Sequence, residues 1–204
     1  MDVLSAIRDD RVVAVVRGRQ VADAAELAAA LARAGIRAVE FTFTIPGALE
    51  AIEAAAESAA IVGAGTVRHE RQARDALAAG AQFLVSPACV PEVARVARDS
   101  GVPSFLGALT PTEVDSALKA GTTAVKLFPA GLGGPRYLRD LRGPFPDVDF
   151  LPSGGVTEEN ARDFLAAGAI GVYAGSGLAP PELVEAGDHD EIARRARAFV
   201  AAVS

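Results

Sequence analysis

Cysteine and long apolar runs are scarce in this sequence, and each scarcity excludes a class of protein. The 204 residues contain one cysteine, Cys89, which cannot form an internal disulfide and is typical of a reducing cytosol. No apolar run approaches the roughly 20 residues that a membrane-spanning helix needs. Residues 1–11 lack the basic and apolar segments of a secretory signal. We therefore expect a cytoplasmic protein with no membrane partner.

Basic residues are not concentrated in any part of the chain. The formal net charge is −6 at pH 7, and we find no cluster of lysine and arginine of the kind that binds polyanions. This argues against nucleic acid or an anionic membrane as a partner. A small anionic ligand stays compatible with the charge, because a few local donors can bind a phosphate.

One pattern repeats along the chain: an apolar or β-branched run, a turn, an Ala/Leu-rich helical stretch and a glycine. Ala-Gly pairs precede strands two, four, six and eight, and glycine suits the left-handed position that ends a helix. The predicted strands are 11–17, 37–43, 59–65, 81–87, 102–109, 123–129, 148–155 and 169–176. Helices are expected over about 20–34, from near Pro46, and, as a short one, near 135–142.

Eight strands alternating with helices allow two folds. A closed (β/α)₈ barrel typically takes about 250 residues, so this one is compact. The alternative is an open doubly wound sheet, usually with fewer strands and a glycine-rich turn after strand one. Strand one ends in Val-Val-Arg-Gly-Arg-Gln, which lacks the G-x-G-x-x-G of that turn. We therefore predict an α/β fold in which residues 1–204 form a single TIM barrel with an N-terminal helix.

Polar residues collect at the C-terminal ends of the predicted strands, where the catalytic groups of a barrel lie. They include Arg17, Glu40, Thr42, Thr44, Thr66, Ser86, Lys126, Ser153 and Ser176, with glycines beside several of them. Lys126 and Glu40 differ from the others because they are ionisable groups inside otherwise apolar strands.

Lys126 shares a strand face with Ala124 and Phe128, whereas Val125 and Leu127 lie on the opposite face. If that opposite face packs under the helices, Lys126 points into the barrel. Desolvation there lowers the pKa of an amine and keeps it nucleophilic, as an imine-forming lysine requires. The alternative is a structural lysine neutralised by an internal carboxylate. We favour the nucleophile, because perturbed lysines in clefts are more often functional.

Glu40 alternates with apolar residues, so we expect its carboxylate to face the interior with the hydroxyls of Thr42 and Thr44. Together Glu40 and Lys126 could form a structural ion pair, or a nucleophile with a general acid/base. A carbonyl-trapping amine beside a proton-moving carboxylate is the equipment for carbon–carbon cleavage next to a carbonyl. The other lysine, Lys119, lies near a predicted helix C-terminus and is expected to be solvated.

Glycine-rich segments lie at the ends of the last two predicted strands, Ser-Gly-Gly-Val at 153–156 and Ala-Gly-Ser-Gly at 174–177. They could be ordinary turns, but loops after strands seven and eight often bind phosphate in barrels. His69 and His189 lack metal-ligand spacing and are expected at the surface, and Cys89 is expected to be a structural thiol. We see no nucleotide or cofactor motif.

Four motifs occur one after another along the chain. They are Gly-Ala-Gly-Thr-Val at 63–67, Ser-Pro-Ala-Cys-Val-Pro-Glu at 86–92, Val-Lys-Leu-Phe-Pro-Ala at 125–130, and residues 143–156, which end in Pro-Ser-Gly-Gly-Val. In this combination the chain resembles the 2-keto-3-deoxy-6-phosphogluconate aldolases, which are grouped with the 4-hydroxy-2-oxoglutarate aldolases. The resemblance implies a class I aldolase on a TIM barrel that acts on a phosphorylated 2-keto acid. It also implies a homotrimer, with no metal or organic cofactor.

The resemblance implies roles for individual residues. Lys126 corresponds to the Schiff-base lysine and Glu40 to the general acid/base. The residues that match the pyruvyl pocket are Thr66, Pro87 and Phe128. Those that match the phosphate site are Gly154, Gly155, Gly175 and Ser176, with Ser153 where the family often has threonine.

One position departs from the family pattern. Many members place an arginine four residues after the glutamate, where it holds the substrate carboxylate, and this chain has Thr44 there. Another branch resembles this chain in having a Phe-Thr pair followed by a proline and an arginine at the end of strand one. Arg17 fits that branch and is assigned the carboxylate.

The activity implied is cleavage of 2-keto-3-deoxy-6-phosphogluconate to pyruvate and glyceraldehyde 3-phosphate, and also of 4-hydroxy-2-oxoglutarate to pyruvate and glyoxylate. Three alternatives stay open at this point. They are an aldolase for the galactonate epimer, a phosphosugar isomerase or epimerase, and a non-catalytic phosphosugar-binding barrel. An isomerase would not need Lys126, and in a binding protein Lys126 would only pair with Glu40.

Overall fold

Eight parallel strands alternate with helices in the computed structural model, which describes residues 2–204. The strands β1 to β8 are Val12–Val16, Ala38–Thr42, Ile61–Gly65, Leu84–Val85, Ser104–Ala108, Ala124–Leu127, Phe150–Pro152 and Val172–Ala174. The helices α1 to α10 are Val3–Asp10, Ala24–Arg33, Ala48–Ala56, Glu70–Ala78, Pro91–Asp99, Pro111–Ala120, Gly134–Arg142, Ala161–Ala166, Pro181–Ala186 and His189–Val203. A 3₁₀ turn, Ala130–Leu132, lies between β6 and α7.

The strands form a nearly closed barrel. Each pairs in parallel with its sequence neighbours from β1 to β7, and β1 also pairs with β8, where Val13 lies opposite Tyr173. Between β7 and β8, the amide of Ile170 donates to the carbonyl of Phe150 at 3.1 Å in place of a strand ladder. The predicted TIM barrel is confirmed, and all eight C-terminal strand ends meet on one face.

Strand alternation separates two apolar clusters. Outward residues such as Val39 and Val125 pack under the helices in the larger cluster. Inward residues fill the barrel itself, and α1 packs Val3 and Ile7 against this inner cluster. The strand members of the inner cluster are Val13, Val15, Ala38, Ile61, Val85, Phe105, Ala124, Leu151 and Tyr173, and Phe83, directly before β4, also belongs to it.

Several elements differ from the sequence-based boundaries. The helix expected over about 20–34 begins only at Ala24, because the side chain of Asp23 accepts a hydrogen bond from the Glu26 amide at 2.9 Å and caps it there. The helix expected from near Pro46 starts after Gly47, whose φ is 78°. All eight strands are shorter than predicted, since the apolar pattern continues into buried loop residues that make no ladder.

The helix after β6 is also not unusually short. Helix α7 has nine residues, as many as α3, α4 and α5. The shortest helices are α8 and α9, with six residues each, and the 15-residue α10 follows α9. Within residues 2–204, no helix is long and apolar enough to cross a membrane.

Candidate active site

Lys126 lies on the inner face of β6 and is 3% exposed. Its register partners are Gly107 on β5 and Leu151 on β7. Val125 and Leu127 belong to the outer cluster under the helices, as strand alternation predicts. The amine is therefore held inside the barrel, near the end where the strand-end loops gather.

Glu40, on β2, is fully buried and faces the lysine across the interior. Its Oε2 lies 3.6 Å from Nζ of Lys126, which is too long for a strong hydrogen bond. Both carboxylate oxygens are buried without a hydrogen-bond partner among the described residues. The two groups form a close but loosely engaged pair, and each keeps hydrogen-bonding capacity for another molecule.

Gly65 makes the space that the Glu40 carboxylate occupies. It ends β3, directly beside β2, where it is the register partner of Thr42. A Cβ at this position would lie 1.9 Å from Oε1 of Glu40 and 2.3 Å from its carboxyl carbon. Any larger residue would displace the carboxylate, so this glycine is needed for packing and not for a special backbone angle.

Tyr173 forms part of the interior surface beside the lysine. Its side chain is 2% exposed, and its ring centroid lies 4.4 Å from Nζ of Lys126. The hydroxyl is buried without a partner among residues 2–204. Burial, and then the nearby charge of Glu40, raises the pKa of Tyr173 well above its usual value, so the hydroxyl stays protonated.

The surroundings depress the pKa of Lys126. Removal from water is the main cause, and the positive charge of Arg17 acts in the same direction. The carboxylate of Glu40 opposes both but does not outweigh the desolvation. The direction of the shift favours the neutral amine, the form that attacks a carbonyl carbon.

A cavity of about 170 Å³ opens at the C-terminal end of the barrel. Tyr173 and Arg17 line one part of it. The rest is lined by Val15, Ser153, Gly154, Gly155, Val156, Gly175, Ser176 and Gly177. The structure thus brings both glycine-rich loops together beside the tyrosine that contacts Lys126.

The two loops can present backbone amides to an anion. Gly154 and Gly155 have φ values of 78° and 79°, a conformation that favours glycine. A Cβ on Gly175 would meet no atom within 4 Å, so the backbone there is open to the cavity. Closely approaching amides of this kind are typical of phosphate sites in barrels.

The remaining predicted pocket residues also lie at this end. Thr66 has a φ of 58°, which is rare for a β-branched residue and is often found at functional sites. Pro87 packs over Gly107, where a Cβ would come within 2.2 Å of the proline carbonyl. The ring of Phe128 lies against Gly154, within 3.0 Å of where a Cβ would be.

Thr44 does not lie inside the barrel, contrary to the sequence-based expectation. Strand β2 ends at Thr42, and the turn that follows leaves Thr44 exposed. Its hydroxyl still contacts that of Thr42 at 2.7 Å, and Thr42 donates to the carbonyl of Val16 at 3.2 Å. Strand alternation predicts side-chain direction only as far as the strand continues.

Arg17 is exposed and lies directly after β1. It lines the cavity with the two glycine-rich loops, and its charge acts on Lys126. Arg19, two residues on, instead turns outward and is held by Glu185 through three bonds from its guanidinium nitrogens and one from its amide. The structure therefore separates the two arginines of this loop.

Other reactive side chains lie outside this arrangement. His69 is exposed and accepts a hydrogen bond from the Gln72 amide at the start of α4. His189 is half-buried at the start of α10 and not at the open surface as expected. Burial raises the pKa of the half-buried Cys89 thiol, as for an unreactive thiol. Residues 2–204 contain no group of three acidic, histidine or cysteine side chains placed to hold a metal ion.

The family model described as "Aldolase: KDPG and KHG aldolase" matches residues 3–195. This chain belongs to the KDPG and KHG aldolase family. KDPG denotes 2-keto-3-deoxy-6-phosphogluconate, and KHG the 4-hydroxy-2-oxoglutarate substrate.

Individual members of the KDPG and KHG aldolase family match almost end to end. A 2-dehydro-3-deoxy-phosphogluconate aldolase of Treponema pallidum is 39% identical, over 93% of this chain and 92% of its own length. A KHG/KDPG aldolase of Escherichia coli K12 is 37% identical, over 93% of this chain and 90% of its own. A KDPG aldolase from Legionella pneumophila, solved with pyruvate captured as a covalent carbinolamine, superposes with a TM-score of 0.87 at 30% identity. The superposition covers 96% of this chain and 97% of the chain in that structure.

Two features of the site were missed at the level of sequence. A tyrosine in a strand is an ordinary interior residue, so the alternation of β8 places Tyr173 inside without indicating its contact with Lys126. The space made by Gly65 is not predicted either, because the motif Gly-Ala-Gly-Thr at 63–66 indicates the family and not the position of the Glu40 carboxylate. A glycine beside a buried glutamate on the neighbouring strand is the signal that could have found it.

Proposed function

We propose that this protein is a class I aldolase that cleaves 2-keto-3-deoxy-6-phosphogluconate to pyruvate and glyceraldehyde 3-phosphate. The observation that carries the proposal is Lys126, whose buried amine has a depressed pKa and lies 3.6 Å from the carboxylate of Glu40. The family and the names of its members support the same activity. The pyruvate carbinolamine in the Legionella pneumophila relative supports a covalent intermediate between the 2-keto acid and an amine of the enzyme.

In the first half of the reaction, Nζ of Lys126 attacks the C2 ketone of the substrate. The carbinolamine that forms takes up one proton from solvent, loses its hydroxyl as water and becomes an iminium, which draws electrons from the neighbouring carbons. Glu40 removes the proton of the C4 hydroxyl, and the C3–C4 bond breaks. Its electron pair moves into an enamine, and glyceraldehyde 3-phosphate leaves.

In the second half, the enamine becomes pyruvate. A proton returns to C3, relayed from Glu40, which received one in the cleavage step. Water then adds to the iminium, and pyruvate, the free amine and one proton are released. The proposed steps require one buried amine and one carboxylate with free hydrogen-bonding capacity, and Lys126 and Glu40 supply both. No metal or organic cofactor enters this scheme.

We propose that the anionic groups of the substrate bind at separate places. Gly154, Gly155, Gly175 and Ser176, with Ser153, receive the phosphate, because their loops combine around one cavity. Arg17 receives the carboxylate, which is bonded directly to the C2 carbon that Lys126 attacks. The charge of Arg17 reaches Lys126, which supports this assignment. A guanidinium is suited to bidentate carboxylate binding.

Thr66, Pro87 and Phe128 are proposed to enclose the pyruvyl part of the substrate. They lie shortly after the C-terminal ends of β3, β4 and β6 respectively, at the end of the barrel where Lys126 lies. Unphosphorylated 4-hydroxy-2-oxoglutarate is proposed as a second substrate, because it shares the 2-keto acid portion and needs only the pyruvyl pocket and Arg17. The combined KHG/KDPG name of the Escherichia coli relative supports this.

We further propose that residues 1–204 form one aldolase domain that acts in the cytoplasm, in the Entner–Doudoroff pathway, as a homotrimer. The single free cysteine supports a reducing compartment. Leu132, 76% exposed beside the mouth of the barrel, is an apolar side chain that a subunit contact could cover. Sedimentation equilibrium tests the trimer, and a monomeric mass at micromolar concentration would contradict it.

A direct assay separates the proposed aldolase from the alternatives. Purified protein is incubated with 2-keto-3-deoxy-6-phosphogluconate, and pyruvate release is followed with lactate dehydrogenase and NADH. The galactonate epimer and 4-hydroxy-2-oxoglutarate are assayed in parallel, with Lys119→Ala as a matched lysine control. Pyruvate from the gluconate substrate is expected from the wild type and from Lys119→Ala. An isomerase or a binding protein would release none.

A further inference from the structure

The ring of Tyr173 lies beside the reactive amine. Its centroid lies 4.4 Å from Nζ of Lys126, within the roughly 6 Å at which a cation is attracted to a ring face. Both side chains are almost completely buried, so little water screens the attraction. The contact joins β8 to β6 across the intervening strand β7.

The hydroxyl does not explain why a tyrosine stands here. It has no hydrogen-bond partner among the described residues, although buried hydroxyls usually have one. It does not bond to Glu40, whose two oxygens are likewise unpartnered. The interaction that Tyr173 makes with the catalytic pair is therefore through the face of its ring.

We propose that Tyr173 is a positioning residue for the proposed aldolase reaction, whose ring face holds the nitrogen of Lys126 and stabilises the iminium formed on it. The inference rests on the proposed function, because it requires an imine at Lys126. In that step the amine nitrogen forms a bond to the carbonyl carbon, one proton is taken up from solvent, and the carbonyl oxygen leaves as water, so that a neutral nitrogen becomes a cationic one. A ring face attracts the cation but not the neutral amine, so it favours the product of the step.

The same contact affects the protonation of the free enzyme. The charged and titratable groups that face Lys126 are Glu40 from β2, Arg17 after β1 and Tyr173 from β8. The other strands contribute uncharged residues at this level, among them Gly65, Gly107 and Leu151. Because a ring face stabilises the ammonium, removing the ring lowers the pKa of Lys126 still further. Glu40 and Arg17 stay in place, so their effects cancel in the comparison.

The test compares Tyr173→Phe, which keeps the ring, with Tyr173→Leu, which removes it. Phe105→Leu serves as a matched control, since it makes the same aromatic-to-aliphatic change elsewhere in the inner cluster. Reduction with cyanoborohydride in the presence of pyruvate traps the imine, and its rate is measured against pH and pyruvate concentration. Circular dichroism and thermal unfolding show that each variant is folded.

For Tyr173→Leu, the midpoint of the pH profile is expected to move down by about one pH unit. The pyruvate concentration for half-maximal trapping above that midpoint is expected to rise about 5- to 30-fold. Tyr173→Phe and Phe105→Leu are expected to keep both wild-type values. The chain has only two tyrosines, so a Tyr137→Phe background allows 3-fluorotyrosine to be placed at position 173 alone. This replacement weakens the attraction of the ring face for a cation and changes the side-chain volume very little. A smaller shift in the same direction is expected.

Three outcomes would overturn the inference. The first is a Tyr173→Leu profile that matches the wild type. The second is equal impairment of Tyr173→Phe and Tyr173→Leu, which would assign the effect to the hydroxyl. The third is an equal change in Phe105→Leu, which would make the effect one of packing. If the wild type itself is not labelled, the proposed function fails, and this result is distinct from all three.

Discussion

The amine of Lys126 and the carboxylate of Glu40 lie 3.6 Å apart inside the barrel, and neither carboxylate oxygen has a hydrogen-bond partner among the described residues. A pair that served only for stability would be expected to satisfy these oxygens. The free capacity suits a group that must receive a proton from a substrate.

Replacing Glu40 by glutamine keeps the shape of the site but removes the proton acceptor. We expect kcat for 2-keto-3-deoxy-6-phosphogluconate cleavage to fall by about 10²- to 10⁴-fold, the usual contribution of a general acid/base. Imine trapping with pyruvate is expected to survive in part, because Lys126 is intact. Steady-state kinetics checks the prediction, and turnover equal to the wild type would show that another group is the base.

Arg17→Ala is expected to raise KM for phosphorylated and unphosphorylated 2-keto acids alike, since both carry the carboxylate. We expect KM to rise about tenfold. This is the low end for the loss of a charge-assisted hydrogen bond, and we choose it because Arg17 is exposed and water screens its charge. Arg19→Ala is the matched control, because Arg19 turns outward to Glu185. It is expected to leave KM unchanged for both the phosphorylated and the unphosphorylated substrate. A rise for the phosphorylated substrate alone would move Arg17 to the phosphate.

Ser176→Ala is expected to weaken only the phosphorylated substrate. Its hydroxyl contributes one hydrogen bond while the backbone amides of the loops remain, so KM should rise about two- to tenfold. The value for 4-hydroxy-2-oxoglutarate should stay the same. The ratio of the two KM values is the measurement, and an equal rise for both substrates would place Ser176 elsewhere in the site.

The double variant Lys126→Met/Glu40→Leu is expected to be inactive but at least as stable as the wild type. Apolar replacements for a buried ion pair are often neutral or stabilising by about 1–4 kcal/mol, and this pair has few hydrogen bonds to lose. Lys126→Met alone should be less stable than the double variant, because it leaves Glu40 buried without its cation. Urea unfolding of the three proteins checks the order, and a strongly destabilised double variant would contradict it.

The depressed pKa of Lys126 also sets the sign of a pH effect on stability. The folded state binds this proton less tightly than the unfolded chain, so below its folded pKa both states are protonated. Stability attributable to Lys126 therefore rises with pH between the folded pKa and the unfolded value. The double variant lacks this contribution. Urea unfolding of the wild type and the double variant at a series of pH values should therefore show a difference in the free energy of unfolding that grows with pH in this range.

Much of the fold and of the site could be predicted from sequence because the signals were local. A charged residue inside an apolar strand is conspicuous, and period-two alternation alone placed Lys126 and Glu40 in the interior. The repeated strand–helix pattern with Ala-Gly ends was enough for a barrel. These features depend on neighbours a few residues away.

What could not be predicted depends on contacts between distant segments. Thr44 was placed inside by an alternation that stops at Thr42, and where a strand stops depends on the pairing of β2 with β3. The contact of Tyr173 with Lys126 joins residues on strands β8 and β6. Only the closed barrel brings them together, so no pattern along the chain could indicate the distance between them.

The most direct test of the account is borohydride reduction of the wild-type enzyme with pyruvate, followed by peptide mass mapping. We expect one reduced pyruvate per chain, on the peptide that carries Lys126. Lys126→Ala and Lys126→Arg should take up none, since a guanidinium stays protonated and forms no imine, and Lys119→Ala should be labelled like the wild type. Label on Lys119, or no label on the wild type, would contradict the claim that Lys126 is the imine-forming residue.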